Sequence, residues 1–299
     1  MTRAHVRVRS RLPLEELSGL SVRRTEEYSH GELLAVGDER FVVVTAELTP
    51  YGPQEPHPQE LGRRVAPENG GVSEESEWEG IDADGEGRVF VLQESTGRIF
   101  VLSPDLDRLV HTIHLEPQGG PEAEASDLLK DPRAGPEALL LLEDGHLLVV
   151  KQRAPVRFIE FGPSAEEKPR GLLPDSYLAD RRPFSVSAGD RTALRPVRSW
   201  TLPEKDEHIA KSVNDVAVDD RGELHIISSE SSCIYRLEKV RPDEDRVRVT
   251  DRWLLPDELK LSDERKAEGL AFDRLGSPVV AVDAKDDEDN LFVLKKLND

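Results

Sequence analysis

Five short apolar runs in this chain are each opened by a polar side chain: Ser18, Glu79, Glu137, Asn214 with Asp215 behind it, and Glu268. The spacings between them are 61, 58, 77 and 54 residues. Three carboxylates and a carboxamide brought to one place would repel strongly unless a cation, a proton or a basic group stood among them. Oxygen-only donors suit Ca²⁺ ahead of any transition metal. A cation held there could polarise a carbonyl or phosphoryl oxygen and activate water without a protein nucleophile, with Glu268, if not engaged as a ligand, as the base. Each residue taken alone also has a plainer role, because a Glu or Asn at a strand opening can cap backbone amides of its neighbour. Recurrence at equivalent positions sets the functional reading of the group level with that role.

The element that must position these residues is clearest in Trp78–Leu115, WEGIDADGEGRVFVLQESTGRIFVLSPDLDRLVHTIHL. It holds four apolar runs, Ile81–Ala83, Val89–Leu92, Ile99–Leu102 and Leu109–Leu115, separated by turn signals at Asp84–Gly87, Thr96-Gly97 and Pro104-Asp105. Such a four-stranded meander has an apolar face to bury, and copies of itself can cover it. Copies open at Leu17 (LSGLSV), Pro136 (PEALLL), Val213 (VNDVAV) and Ala267 (AEGLAF), each followed by a turn and a second strand. Four-stranded units at this spacing predict an all-β propeller whose opening strands line a central channel, so the polar residues above meet at one mouth of it.

The reading is a single domain over 1–299 with five blades. The last blade is closed by the alternating N-terminal run His5–Arg11, which removes two free edges. The long third interval carries an insertion at about 162–192. A hairpin within PFSVSAGDRTALRPVRSWTL would make a sixth blade. Thr49–Glu77 and Glu116–Ala134 read as Pro-, Gly- and Glu-rich connectors, with SDLLKD allowing one helical turn.

Composition narrows the partners. A formal charge of −20, with 60 acidic against 40 basic residues, repels nucleic acid and anionic membrane surfaces. The lone cysteine, Cys233, excludes an internal disulfide and a thiolate cluster, and it lies in a strand-like run, CIYRL, as a core residue would. Without a signal-like or membrane-length apolar run, the expectation is a soluble, cytoplasmic monomer binding a small molecule or a protein.

Other motifs fall away. Asp82–Gly87 imitates the start of an EF-hand loop but has Gln93 at its twelfth position and reads as a hairpin turn. Asp286–Asn290 reads as a polar loop, and His208, the one histidine near a candidate opening, as a solvated loop residue. Trp200 and Trp253 read as packing between blades, as does Trp78, which could otherwise floor a pocket.

The motifs LSGL, EWEGI, NDVAVDDRGELHIISSES and AEGLAFDRLGSPVVAVDAKDDEDNLFVLKKL resemble those of the SdiA-regulated and phytase-esterase-like propeller families, which are similar in turn to calcium-dependent phosphotriesterase and gluconolactonase propellers. The resemblance spans Leu17–Leu297 and implies an axial Ca²⁺ held by Glu79, Glu137, Asn214 and Glu268, with hydrolysis of a small ester, lactone or phosphoester. Departures from the pattern are Ser18 in place of an acid, Ala138 in place of glycine after Glu137, and no histidine at a repeat opening. The contrasting expectation, from the scaffold alone, is a non-catalytic ligand- or protein-binding propeller.

Overall fold

The computed structural model describes residues 2–25, 27–65, 76–117, 128–129, 135–153, 155–164, 167–178, 182–186, 189, 191–203, 205–206, 210–262, 264–284 and 288–297. His208, Asp286, Asp287 and most of SDLLKD lie outside them. Among the described residues the chain is β-structure joined by turns, and no helix is long and apolar enough to cross a membrane.

The meander that stood out in the sequence is β7 (Trp78–Ala83), β8 (Val89–Gln93), β9 (Arg98–Leu102) and β10 (Leu109–Leu115), each antiparallel to the next. The copies have the same order. Preceding it are β3 (Leu17–Arg23), β4 (Glu32–Gly37), β5 (Val42–Thr49) and β6 (Gly52–Glu60). Following it are β11 (Pro136–Leu141), β12 (Leu147–Lys151), β13 (Arg157–Gly162) and β14 (Arg191–Thr201), then β15 (Asp215–Val218), β16 (Leu224–Ser228), β17 (Cys233–Leu237) and β18 (Val249–Leu254). The last copy has β19 (Ala267–Phe272), β20 (Pro278–Val282) and β21 (Leu291–Leu294), and its fourth strand is β2 (Val6–Ser10) from the start of the chain. Ahead of that strand, β1 (Thr2–Arg3) lies parallel along β18. Residues 2–10 thus tie two sheets together.

Opening strands pack neighbour to neighbour, β3 against β7 and β19, β7 against β11, β11 against β15, and β15 against β19. Second and third strands are buried on both faces, which is why they read as continuous apolar runs such as LLVVK and PVVAV. Between the sheets lie apolar layers. Phe41 meets Trp78 edge-on at 5.4 Å between the first two, and Trp200 is buried with Tyr235 and Val216 between the next pair along. All three tryptophans are buried, so Trp78 is packing and not a pocket floor. Cys233 is likewise buried, in β17.

Two segments differ from expectation. Thr49–Glu77 is not a connector throughout, because Gly52–Glu60 pairs with β5 as β6. Its prolines hid it: Pro53 and Pro58 supply no N–H to a ladder, but β6 is the outermost strand of its sheet, where one side needs none. Within the stretch allowed for a hairpin, Arg191–Thr201 is a single long strand, β14. The first half of β14, Arg191–Leu194, lies parallel to β10, and the second half lies antiparallel to β13. That double pairing fuses two meanders into one eight-stranded sheet.

The hairpin between first and second strands repeats a local device. Asp84, Asp219 and Asp273 each turn a carboxylate oxygen onto the backbone N–H groups two and four residues ahead, at 2.8–3.1 Å. Asp84 also pairs with Arg88 at 2.5 Å. The EF-hand-like stretch is therefore a turn whose central carboxylate is already engaged.

Candidate functional site

The opening strands have a shared irregularity. In β3, β7, β11 and β19 the register slips across Ser18, Glu79, Glu137 and Glu268, leaving each of these residues in a bulge opposite its second strand. A bulged residue leaves the ladder and its side chain is re-aimed, here into the channel mouth. The glycine that follows in three repeats allows close approach at the crowded axis. A Cβ on Gly19 would lie 2.2 Å from the Glu79 carbonyl oxygen, and one on Gly80 would lie 2.9 Å from the Leu139 nitrogen.

Ser18, Glu79, Glu137 and Glu268 line one cavity of about 160 Å³. Asn214 stands beside it. The Ser229 N–H can only donate, and it donates to Asn214 Oδ1 at 2.9 Å, which fixes the carboxamide so that its nitrogen donates to Glu268. Ser212 adds a second donor to Oδ1 at 3.3 Å. Asn214 thus offers the site an N–H₂ group aimed at Glu268, its oxygen being turned away.

A second tier escaped the sequence reading. Asp38, Gln152 and Asp283 line the same cavity, and Glu94 acts on it from close by. These residues and Ser229 occupy one equivalent place, immediately after the second strand of each repeat, which antiparallel pairing sets beside the bulge. The signal was present in AVGD, VLQE, VVKQ, IISS and VAVD, a polar residue at each strand end. Only the pairing gives it meaning.

Crowding shows in the acidities. Burial, then Glu94, Asp38 and Glu268, holds Glu79 well above the usual carboxylate range, with a hydrogen bond from Ser18 pulling back. Burial, then Glu79, Glu94 and Glu268, does the same to Glu137, against the pull of Arg153. Glu268 is pushed up to about 7 by burial, despite Lys266 and the Asn214 donor. Asp38 is pushed up to about 7, chiefly by burial and then by Glu16. Glu137 is 8% exposed and makes no hydrogen bond to any described residue. A buried, unbonded carboxyl among like charges is costly and marks where a positive group is wanted.

The donor chemistry at Glu79, Glu137 and Glu268 fits a hard cation. Among the described residues, though, no three His, Cys, Asp or Glu side chains converge on a ready ion cage, and Asn214 presents a nitrogen. A polar pocket of about 560 Å³ adjoins the mouth, sharing Gln152, Lys266 and Glu268 with it. Glu268 faces both spaces.

Two further aspartates serve structure. Asp215, buried behind Asn214, accepts from Leu270 N–H at 2.8 Å and Leu20 N–H at 3.3 Å, so one carboxyl of β15 ties β19 to β3. Asp82 accepts from Leu141 N–H at 2.9 Å and Ser21 at 3.1 Å, joining β7 to β11 and β3. Burial raises both carboxyls, that of Asp82 to about 6.

This geometry defines an all-β propeller with an acid-lined channel mouth. Across nearly its whole length the chain is similar in fold to the glutaminyl cyclase of Myxococcus xanthus, with a TM-score of 0.53 and 14% identity over 98% of this chain and 95% of that one. A streptogramin B lyase aligns at 0.48 and 11% over 96% of each chain. A virginiamycin B lyase from Staphylococcus aureus aligns at 0.43 and 8%, over 97% of this chain and 74% of that one. No protein-family model and no curated protein sequence matches the chain.

Proposed function

We propose that the channel mouth binds a cation, with Ca²⁺ the inorganic candidate, and that Glu268 handles a proton on a small ligand seated beside it. The reading takes the molecule as five blades closed by the N-terminal strand, of the kind found in the SdiA-regulated and phytase-esterase-like families. The observation that carries it is Glu137, a buried carboxyl without a hydrogen bond among the described residues, facing a cavity ringed by further carboxylates. A positive ligand would relieve the mutual repulsion of Glu79, Glu137 and Glu268 and restore their ordinary acidity. When bound, Ca²⁺ would polarise the scissile oxygen of a small ester, lactone or phosphoester.

Glu268 has the attributes of a general acid or base at neutral pH. It titrates at about 7, Asn214 holds its carboxyl, and it borders the larger pocket where a ligand fits. Ser212 and Ser229 lock Asn214 in turn, so the proton-handling group is held by a short chain of hydrogen bonds.

Calorimetric titration with CaCl₂, paired with thermal melts with and without chelator, tests the reading. Binding heat and a higher melting temperature at saturating Ca²⁺ are expected, about 2.7 kcal/mol of stabilisation at a hundredfold excess over Kd. Glu137→Gln should weaken binding at least tenfold. No heat with Ca²⁺ or with methylammonium would overturn the cation reading. Turnover of ester, lactone or phosphoester substrates surviving Glu268→Gln would remove Glu268 from the chemistry.

A further inference from the structure

The pocket beside the mouth differs in character from the mouth itself. Its wall is lined by Ser212, Ser229, Ser232 and Ser262, by Glu230, and by the cations Arg153 and Lys266, the latter shared with the acid cavity. In a chain where many arginines are ion-paired, neither the Arg153 guanidinium nor the Lys266 ammonium makes a hydrogen bond or ion pair with a described residue. Both act on the acid cavity, Arg153 on Glu137 and Lys266 on Glu268. Two spaces therefore meet at Glu268 and Lys266: a small one in which six carboxyls face the one lysine, and a larger one in which Arg153 and Lys266 balance Glu230 and Glu268. A ligand carrying a single charge satisfies one space and leaves the other as it was.

We propose that the site takes a small zwitterion, its ammonium in the acid cavity against Glu137 and Glu79 and its carboxylate in the adjoining pocket against Arg153 and Lys266. The inference rests on the cation reading of the mouth and narrows it, because the ligand brings its own positive charge. Size agrees. The acid cavity, about 160 Å³, admits an ammonium group and its first carbons, while the body of the ligand lies in the 560 Å³ pocket among hydroxyls that hydrogen-bond polar atoms along it. The placement of the cations agrees: Arg153 and Lys266 both line the larger pocket while Lys266 alone of the two reaches the acid cavity, which orients a charge-separated molecule and disfavours its reversed pose.

The test is calorimetry on the full chain at pH 7 with glycine, β-alanine and 4-aminobutyrate, whose charges stand progressively further apart, with methylammonium, acetate and Ca²⁺ as single-charge controls. One member of the series is expected to bind at least tenfold tighter than methylammonium or acetate. Glu137→Gln should weaken both that member and methylammonium. The double variant Arg153→Gln with Lys266→Gln should cost the zwitterion at least tenfold while methylammonium binds no more weakly than to the parent. Both residues are exposed, so the variant should keep its fold, which a melt verifies. If methylammonium or Ca²⁺ binds and no zwitterion binds tighter, or if the double variant leaves zwitterion affinity intact, this inference falls and the cation reading stands. If no cation binds in any arm, both fall.

Discussion

Glu137 concentrates the cost of this site in one side chain. Its carboxyl titrates well above the usual range because burial and the neighbouring Glu79, Glu94 and Glu268 oppose ionisation. A carboxyl whose folded pKa is raised binds a proton more readily folded than unfolded, so its contribution to stability falls as pH rises from the ordinary carboxylate range toward the folded value. Glu137→Gln removes that dependence. The variant is expected to melt higher than the parent at pH 8, by about 1 kcal/mol or roughly 2 °C for a chain of this size. The gain should shrink toward pH 5, where the parent carboxyl is protonated in the fold. Scanning calorimetry at both pH values checks this, and a variant less stable than its parent at pH 8 would mean that Glu137 is structural.

At the scale of elements, the bulged opening strands convert a repeat into a site. Gly19→Ala drives a methyl into the Glu79 carbonyl of the neighbouring opening strand, and an overpacking cost of about 1–3 kcal/mol is expected in denaturant unfolding. Ala138→Gly should cost less than about 1 kcal/mol, because the third repeat already accommodates a Cβ there. The insertion is held by a different device. His146 is fully buried, with Nδ1 2.6 Å from Glu160 Oε1 and Nε2 2.7 Å from Glu167 Oε2. Glu160 also accepts from the N–H groups of Arg170 and Gly171. Burial opposes the charged imidazole, but the two carboxylates outweigh it and raise His146, with Arg170 pulling the other way. Arg170 is itself 3.3 Å from Asp144. A raised histidine stabilises fully below its unfolded value and loses that contribution as pH climbs through the folded one. Limited proteolysis should therefore cut 164–178 faster at pH 9 than at pH 6, and His146→Gln should abolish the difference. Equal cleavage of the parent at both pH values would dismiss the latch.

At the scale of the whole molecule, residues 2–10 complete one sheet and extend another, and Lys295 N–H reaches His5 O at 2.8 Å. Deleting residues 1–11 should lower the melting temperature by more than 10 °C or yield aggregates through the bared edge of β21, read by melts and light scattering. The parts of this architecture visible in the sequence were those written locally: apolar runs, hairpin turns and polar residues at strand openings. Ser18, Glu79, Glu137 and Glu268 could be picked out for that reason. What stayed hidden depends on pairing between distant segments. The proline-bearing β6 counts as a strand only because it lies at an edge, Asp38 and Asp283 join the mouth only through strand register, and Asn214 shows its nitrogen only once Ser229 is beside it.

The parallel pairing of β10 with β14 has a mechanical consequence. It stitches two neighbouring sheets along a backbone seam of four residue pairs, longer than the two-residue pairing of β1 with β18 that joins the last two sheets. A ring stiffened on one side breathes on the other. The pocket beside Glu268 is built from the loop after β12, which belongs to the stitched pair, and from the loops before β15, between β16 and β17, and before β19, which do not. A ligand would thus come and go past the loops flanking β15 to β19 while the stitched pair keeps Glu79 and Glu137 in place. Backbone amides along Thr112–Leu115 should exchange with solvent more slowly than those flanking Asn214.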